Sequence, residues 1–229
     1  MKILYESKIP YTFDCIATLS GGIDSTVVAH ILVNEGKHPL FVYLDYETKS
    51  REGEIRAAIE TCKKLDKKFI LLPFYIYKEI SESYIFGNTD KYDKGGQFWL
   101  EGRNGLIGFI LAILASKYKV TDVYMGTNAD DDDGYYLDTN KPFYDALNNL
   151  INHNFRFKVK VSAPLLDRNI IKSKAIQLGN KFGIDWVNET HSCSSSNVPC
   201  LDYEQCESCY WRRSDFNDAG MEDPFYTKK

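Results

Sequence analysis

The chain has 229 residues, 44% of them apolar and 26% charged, and a formal net charge of −4. These values suit one globular domain with a sizeable core, and the acidic balance argues against a protein that coats nucleic acid or an anionic membrane. No apolar run reaches the ~18 residues of a membrane span, and Met1–Glu6 has no signal-peptide core, so a cytoplasmic protein with reduced thiols is expected.

The first apolar run, Phe13 to Leu19, contains a strand pattern over Cys15–Leu19. It leads into Ser20-Gly21-Gly22-Ile23-Asp24-Ser25, after which a helical pattern runs from Asp24 to Asn34, its core being Thr26–Asn34. A strand, a glycine turn and a helix N-terminus together make an anion site, because the unpaired N–H groups of the first turn and the positive end of the helix dipole converge on one point. Glycine allows φ > 0 and close approach of the backbone, and Ser20 and Ser25 add hydroxyl donors. The plain alternative is a glycine turn with Asp24 as helix cap.

Further along, Leu40–Leu44, Phe69–Leu72 and Val123–Met125 read as buried parallel strands, and Glu54–Leu65 and Asn104–Tyr118 as helices between them. Alternation of this kind predicts an α/β fold: a doubly wound, mainly parallel sheet with ligands at the carboxyl ends of its strands. Tyr75–Leu100 lacks a clear period and reads as an insertion, either a lid over the site or an inert surface loop. A last helical pattern covers Ile170–Phe182 and stops at Gly183. The predicted division is a catalytic domain over 1–190 and a Cys-rich, partly helical segment over 191–229 packed on it.

Four of the six cysteines, Cys193, Cys200, Cys206 and Cys209, fall within seventeen residues, and Cys206-Glu207-Ser208-Cys209 is a Cys-x2-Cys knuckle. In a reducing compartment this points to tetrahedral zinc, and four thiolates would close the coordination shell and make the site structural. A redox pair at Cys206 and Cys209 is the weaker alternative. Cys15 and Cys62 read as small core residues.

The glycine loop has neither the Lys-Ser/Thr of a triphosphatase loop nor a G-x-G-x-x-G pattern. It resembles the SGGxDS pyrophosphate loop of the N-type ATP pyrophosphatases. With the cysteine cluster, the chain resembles the QueC family of 7-cyano-7-deazaguanine synthases over nearly its whole length. The matching pieces are Gly102-Arg103-Asn104 (family P-G-R-N), Gly126 with Gly134-Tyr135 eight residues on, Ala163-Pro164-Leu165, and Cys209-x2-Arg212-x3-Phe216-x2-Ala219-Gly220-x2-Asp223-Pro224.

The resemblance implies that ATP and Mg2+ activate 7-carboxy-7-deazaguanine as an adenylate. Ammonia then gives the amide, and a second adenylation gives the nitrile. It implies pyrophosphate and nucleotide contacts at Ser20, Gly21, Gly22, Asp24, Ser25, Leu44 and Gly126, with Asp24, Ser25 and Lys172 catalytic. Lys172 aligns with the family's phosphate-binding lysine only if two residues are inserted before it, and Arg168 is its rival. Substrate contacts are expected at Arg103, whose planar fork suits phosphate or carboxylate, and at Asn104. Asp130–Asp133 is an acidic run of the kind usually solvated; Asp131 and Asp133 are its candidates for magnesium or a guanine-like edge. Tyr135 either stacks on the base or packs. A homodimer is expected from resemblance alone.

The chain also departs from the family. G-Y-P-D-C-R becomes Gly134-Tyr135-Tyr136-Leu137-Asp138-Thr139-Asn140, with one residue inserted, Thr139 for Cys and Asn140 for Arg, and C-G-x-C becomes Cys200-x5-Cys206. The acceptor is therefore open: ammonia with a nitrile product; an amide end-point, or conjugation to another amine such as a protein N-terminus, as in a defence system; or a nucleotide-binding subunit without turnover. A tRNA-thiolating relative is disfavoured by the acidic balance.

Overall fold

A computed structural model describes residues 1–7, 12–87, 100–130, 137–200 and 206–227. Its centre is a sheet of six strands: β1 (Lys2–Tyr5), β2 (Cys15–Thr18), β3 (Pro39–Asp45), β4 (Phe69–Pro73), β5 (Asp122–Tyr124) and β6 (Lys160–Ser162). Their order is β1-β4-β3-β2-β5-β6. Every pairing is parallel except that of β1 with β4.

The chain winds outward from β2 through α1 (Ile23–Asn34), β3, α2 (Arg51–Leu65) and β4. It then returns to the other side of β2 through α3 (Ile76–Ile80), a 3-10 turn at Tyr84–Phe86 and α4 (Arg103–Tyr118), and continues into β5, α5 (Lys141–Asn154) and β6. The winding reverses between β2 and β5, and the crevice beyond their carboxyl ends is the expected ligand position in such a sheet.

Strand β3 shows why the sheet is double-faced. All seven of its residues are buried. Phe41 and Tyr43 join one core, with Val27 and Ile31 of α1 and Ala58 and Cys62 of α2. Leu40, Val42 and Leu44 join the other, with Leu111 and Ala115 of α4 and Leu147 and Ile151 of α5. A continuous apolar run is what a strand covered on both faces requires.

After β6 come α6 (Pro164–Asp167), α7 (Lys172–Lys181), α8 (Glu207–Asp218) and α9 (Pro224–Thr227). Ala175 and Ile176 of α7 and Phe216 of α8 enter the first core. Arg212 of α8 locks this end of the chain. It is 4% exposed, holds Asp223 at 2.7 and 3.1 Å, and donates to Thr190 Oγ1 and the Trp186 carbonyl at 2.8 and 3.0 Å.

Two buried polar residues of α1, Thr26 and His30, are satisfied as well. Thr26 donates to the Glu189 carbonyl at 3.2 Å, and His30 meets the Glu189 carboxylate at 2.8 Å, where Lys64 also binds at 2.6 Å.

The flanks of the Tyr75–Leu100 insertion are packed: Tyr77, Ile85, Phe86 and Leu100 form a small cluster with Tyr46 and Phe74. The stretch 88–99 lies outside the described residues.

Candidate active site

The glycine loop follows β2 and ends in α1, as its sequence pattern requires. Gly22 is the N-cap and makes no side-chain cap bond, so Asp24 lies inside the first turn rather than capping it. Gly21 has φ +77, and a Cβ there would run into the Glu54 carbonyl oxygen, so only glycine fits. Ser25 Oγ donates to the Gly22 carbonyl at 3.1 Å and lies 3.1 Å from Ser20 Oγ. Two hydroxyls and the first-turn N–H groups thus gather at one helix terminus.

Gly126, just past β5, faces this turn: a Cβ would stand 2.9 Å from both N and Cα of Ser25. Its role here is to let β5 and α1 approach. Leu44 is buried on β3, two residues past the last rung with β2. Val42 O accepts from Leu19 N and Phe41 N donates to Lys68 O. By strand alternation the Leu44 N–H and C=O therefore turn toward the side where β2 has ended, beside the loop.

Asp24 is the hub of the charged groups. Its Oδ2 lies 2.8 Å from Lys172 Nζ and accepts from Asn128 Nδ2 at 3.2 Å. Its Oδ1 is buried with no hydrogen-bond partner among the described residues. Asp130 accepts from the Lys172 main-chain N–H at 2.6 Å at the start of α7. Asp215 of α8 adds a third carboxyl. Burial pushes it up to about 6; Lys172 opposes the rise, and Asp24 and Asp130 add to it. An orphaned carboxylate oxygen among further carboxyls fits a hard cation such as magnesium. Arg168, the rival of Lys172, is tied to Glu35 on the surface at 2.7 and 3.1 Å.

Arg103 opens α4 and hydrogen-bonds Tyr46 of the aromatic cluster. Its charge opposes the burial that raises Tyr46 and Glu54. Glu54 also accepts from Tyr43 Oη and Ser50 Oγ, both at 2.6 Å. Asn104 is engaged with Asp138: its main-chain N–H meets the Asp138 carboxylate and its side chain the Asp138 carbonyl, both at 3.2 Å. Asp131, Asp133 and Tyr135 lie outside the described residues. Asn128, Asp130 and Asp215 were not among the residues expected from sequence. Only Asp130 carried a signal, as the first acid of its run.

The four cysteines converge. Their sulfurs all lie within 4.8 Å of one another, with Cys193 Sγ 3.3 Å from Cys200 Sγ and 3.9 Å from Cys206 Sγ. Cys206 is held far below the ordinary thiol range by hydrogen bonds from Cys193 and Cys209. Cys193 is pushed up to about 11 by its bond to Cys206, and Cys200 up to about 11 by burial. Four sulfur donors gathered this closely fit a soft metal ion. His191 is no ligand: its Nε2 is 2.9 Å from the carbonyls of Cys193 and Ser196, and burial lowers its pKa.

A glycine loop at the reversal of the sheet, with its own Asp24 paired to Lys172, is the arrangement expected of the N-type ATP pyrophosphatases. The profile of the family described as "Queuosine biosynthesis protein QueC" matches residues 14–220. A 7-cyano-7-deazaguanine synthase from Methanocaldococcus jannaschii is 26% identical over 226 residues, covering 91% of this chain and 96% of the relative. One from Campylobacter jejuni is 29% identical over 223 residues, covering 91% and 95%. Among solved structures, the U34-tRNA thiolase NcsA from Methanococcus maripaludis superposes with a TM-score of 0.54 at 18% identity, covering 93% of this chain and 66% of that one. NMN synthetase from Francisella tularensis gives 0.52 at 17%, covering 93% and 79%. These two are likenesses of fold. The chain belongs to the QueC family, as a divergent member. Among the described residues no helix is long and apolar enough to cross a membrane.

Proposed function

We propose that the chain is an ATP-dependent ligase that adenylates 7-carboxy-7-deazaguanine and passes it to ammonia. A carboxylate oxygen attacks the α-phosphorus and pyrophosphate leaves; ammonia adds to the carbonyl carbon, AMP departs, and loss of a proton leaves the amide. Adenylation of the amide oxygen and a second loss of AMP, with the nitrogen-bound protons released, give the nitrile.

Catalysis of this kind is mainly alignment of anionic groups and stabilisation of charge at the α-phosphate. Ser20, Gly21, Gly22 and Ser25 cradle the departing pyrophosphate. Lys172 supplies the cation beside it and is held in place by Asp24. Leu44 and Gly126 border the nucleotide. Arg103 receives the carboxylate, while Asn104 fixes the start of α4, and Asp131, Asp133 and Tyr135 are the proposed contacts to the base. Magnesium, when held by Asp24 and its neighbours, supplies charge neutralisation on the phosphates. Zinc, when held by Cys193, Cys200, Cys206 and Cys209, supplies a rigid crosslink. The observation that carries the reading is the 2.8 Å pairing of Lys172 with Asp24 of the loop.

A second reading keeps the adenylation and changes the outcome, to an amide end-point or a conjugate with another amine. It is favoured by Asn140. Where the family has arginine, this residue caps α5 by accepting from Phe143 N at 2.9 Å, beside a buried Thr139.

Mass spectrometry after incubation with ATP, Mg2+ and 7-carboxy-7-deazaguanine, with and without ammonia, separates the readings. Nitrile formation supports the first, and amide or conjugate the second. Absence of AMP would refute both.

A further inference from the structure

The segment that carries the four cysteines is bonded to the phosphate loop itself. The His191 main-chain N–H donates to the Gly21 carbonyl at 2.7 Å. Its ring Nε2 lies 2.9 Å from the carbonyls of both Cys193 and Ser196, which only a protonated nitrogen can serve. The ring fills the space in front of Gly53, where a Cβ would stand 2.6 Å from Cε1. Asn197 completes the bracket: its Oδ1 accepts from Glu52 N and Gly53 N at 3.0 and 3.3 Å, in the first turn of α2. Gly21 is thus held by peptide groups on two sides, its oxygen by His191 and its Cα against the Glu54 carbonyl.

Peptide geometry turns this grip into an orientation. In a trans peptide the C=O and the following N–H point in opposite directions, and the chain has no cis peptide bonds among the described residues. With the Gly21 oxygen on His191, the Gly22 N–H points the other way. It faces Ser20 Oγ at 3.4 Å, beside the Ser25 hydroxyl.

Resting on the pyrophosphate-loop reading above, we propose that His191 is a positioning residue for the phosphate site. Through it the cysteine cluster, once it holds its metal, fixes the Gly21–Gly22 peptide with the N–H toward the bound anion. Cys193 is two residues from His191 and its carbonyl is bonded to the His191 ring, so a metal that immobilises the Cys193 sulfur immobilises the loop's anchor.

The test compares wild type, His191→Ala and His191→Gln, whose amide nitrogen has a similar reach. Zinc content, hydrogen exchange of the amides of residues 21–25 and pyrophosphate affinity are measured. His191→Ala should keep its zinc, exchange those amides about tenfold faster and bind pyrophosphate about tenfold more weakly. His191→Gln should restore most of both. Chelation of zinc should reproduce the change in wild type and add little to it in His191→Ala, because the two share one route. Wild-type exchange in zinc-loaded His191→Ala would overturn the inference. Should that variant not fold, unchanged loop exchange in chelated wild type would overturn it equally. Failure of wild type to bind pyrophosphate, with the loop amides still responding to His191, would instead refute the reading on which the inference rests and its claim on the bound anion.

Discussion

Gly126→Ala should cripple the enzyme through a clash with the backbone of the glycine loop's helix. The added Cβ would lie 2.9 Å from Ser25 N and Cα and 3.2 Å from Ser25 Cβ. Ordinary carbon contacts begin near ~3.5 Å, so about 0.6 Å of movement is needed to relieve it. The atoms met belong to the backbone of α1, a helix buried on nearly every side, so no flexible side chain can yield. Overpacking of this kind costs about 1–3 kcal/mol, which for a chain of this size is a fall of roughly 2–12 °C in melting temperature. The same displacement moves Ser25 and the loop by a large fraction of the ~1 Å that can cost a hundredfold in rate, so AMP formation should fall about 10- to 100-fold. Gly105→Ala is the control, since its Cβ would meet nothing closer than Phe143 Cε2 at 3.8 Å. Calorimetry and AMP release, measured side by side, decide the matter. Wild-type turnover and melting temperature in Gly126→Ala would refute the close-contact reasoning.

Two further outcomes are expected. Purified protein should contain zinc, and Cys206→Ser should lose it and lower the yield of folded protein, because metal binding is folding free energy in such a site; metal analysis and melting curves check this. Asp215 has a folded pKa of about 6 against an ordinary 3.8. Its contribution is therefore fully present below the ordinary value and lost as pH rises through about 6, where the fold must hold a charge that burial disfavours. Asparagine cannot ionise, so Asp215→Asn should gain in melting temperature relative to wild type between about pH 4 and 7, and a difference that does not change with pH would exclude the effect.

The central strands β2, β3 and β4 were legible because each is a short, largely buried apolar run, and β5 because its buried Val123 leads into the buried Met125. The glycine loop was legible because strand, turn and helix start are adjacent in sequence. The two edge strands were not: β1 has two exposed and two half-buried residues, and β6 has three residues with one buried, so neither makes a pattern. Helix α5 did carry a signal, in Asn140 as cap, Pro142 in the first turn and Tyr144, Leu147 and Ile151 on one face, but it went unread. The choice between Lys172 and Arg168 depends on contacts with Asp24 and Glu35, more than 130 residues away in the chain, and no local spacing records such a contact. Asp215 was unreadable for the same reason: it meets the site only because α8 folds back over α7, where Gln177 donates to the Ala219 carbonyl at 3.0 Å.

Asp130 and Asp138 do the same job at two helix starts. One binds the first N–H of α7 at 2.6 Å, the other the Asn104 N–H in the first turn of α4 at 3.2 Å. The residue inserted relative to the family falls between them, and each fastening lies outside it. The two carboxylates therefore work as moorings. Substitutions between Asp130 and Asp138 in the sequence leave both fastenings in place, so the helices that carry Lys172 and Arg103 keep their starting points.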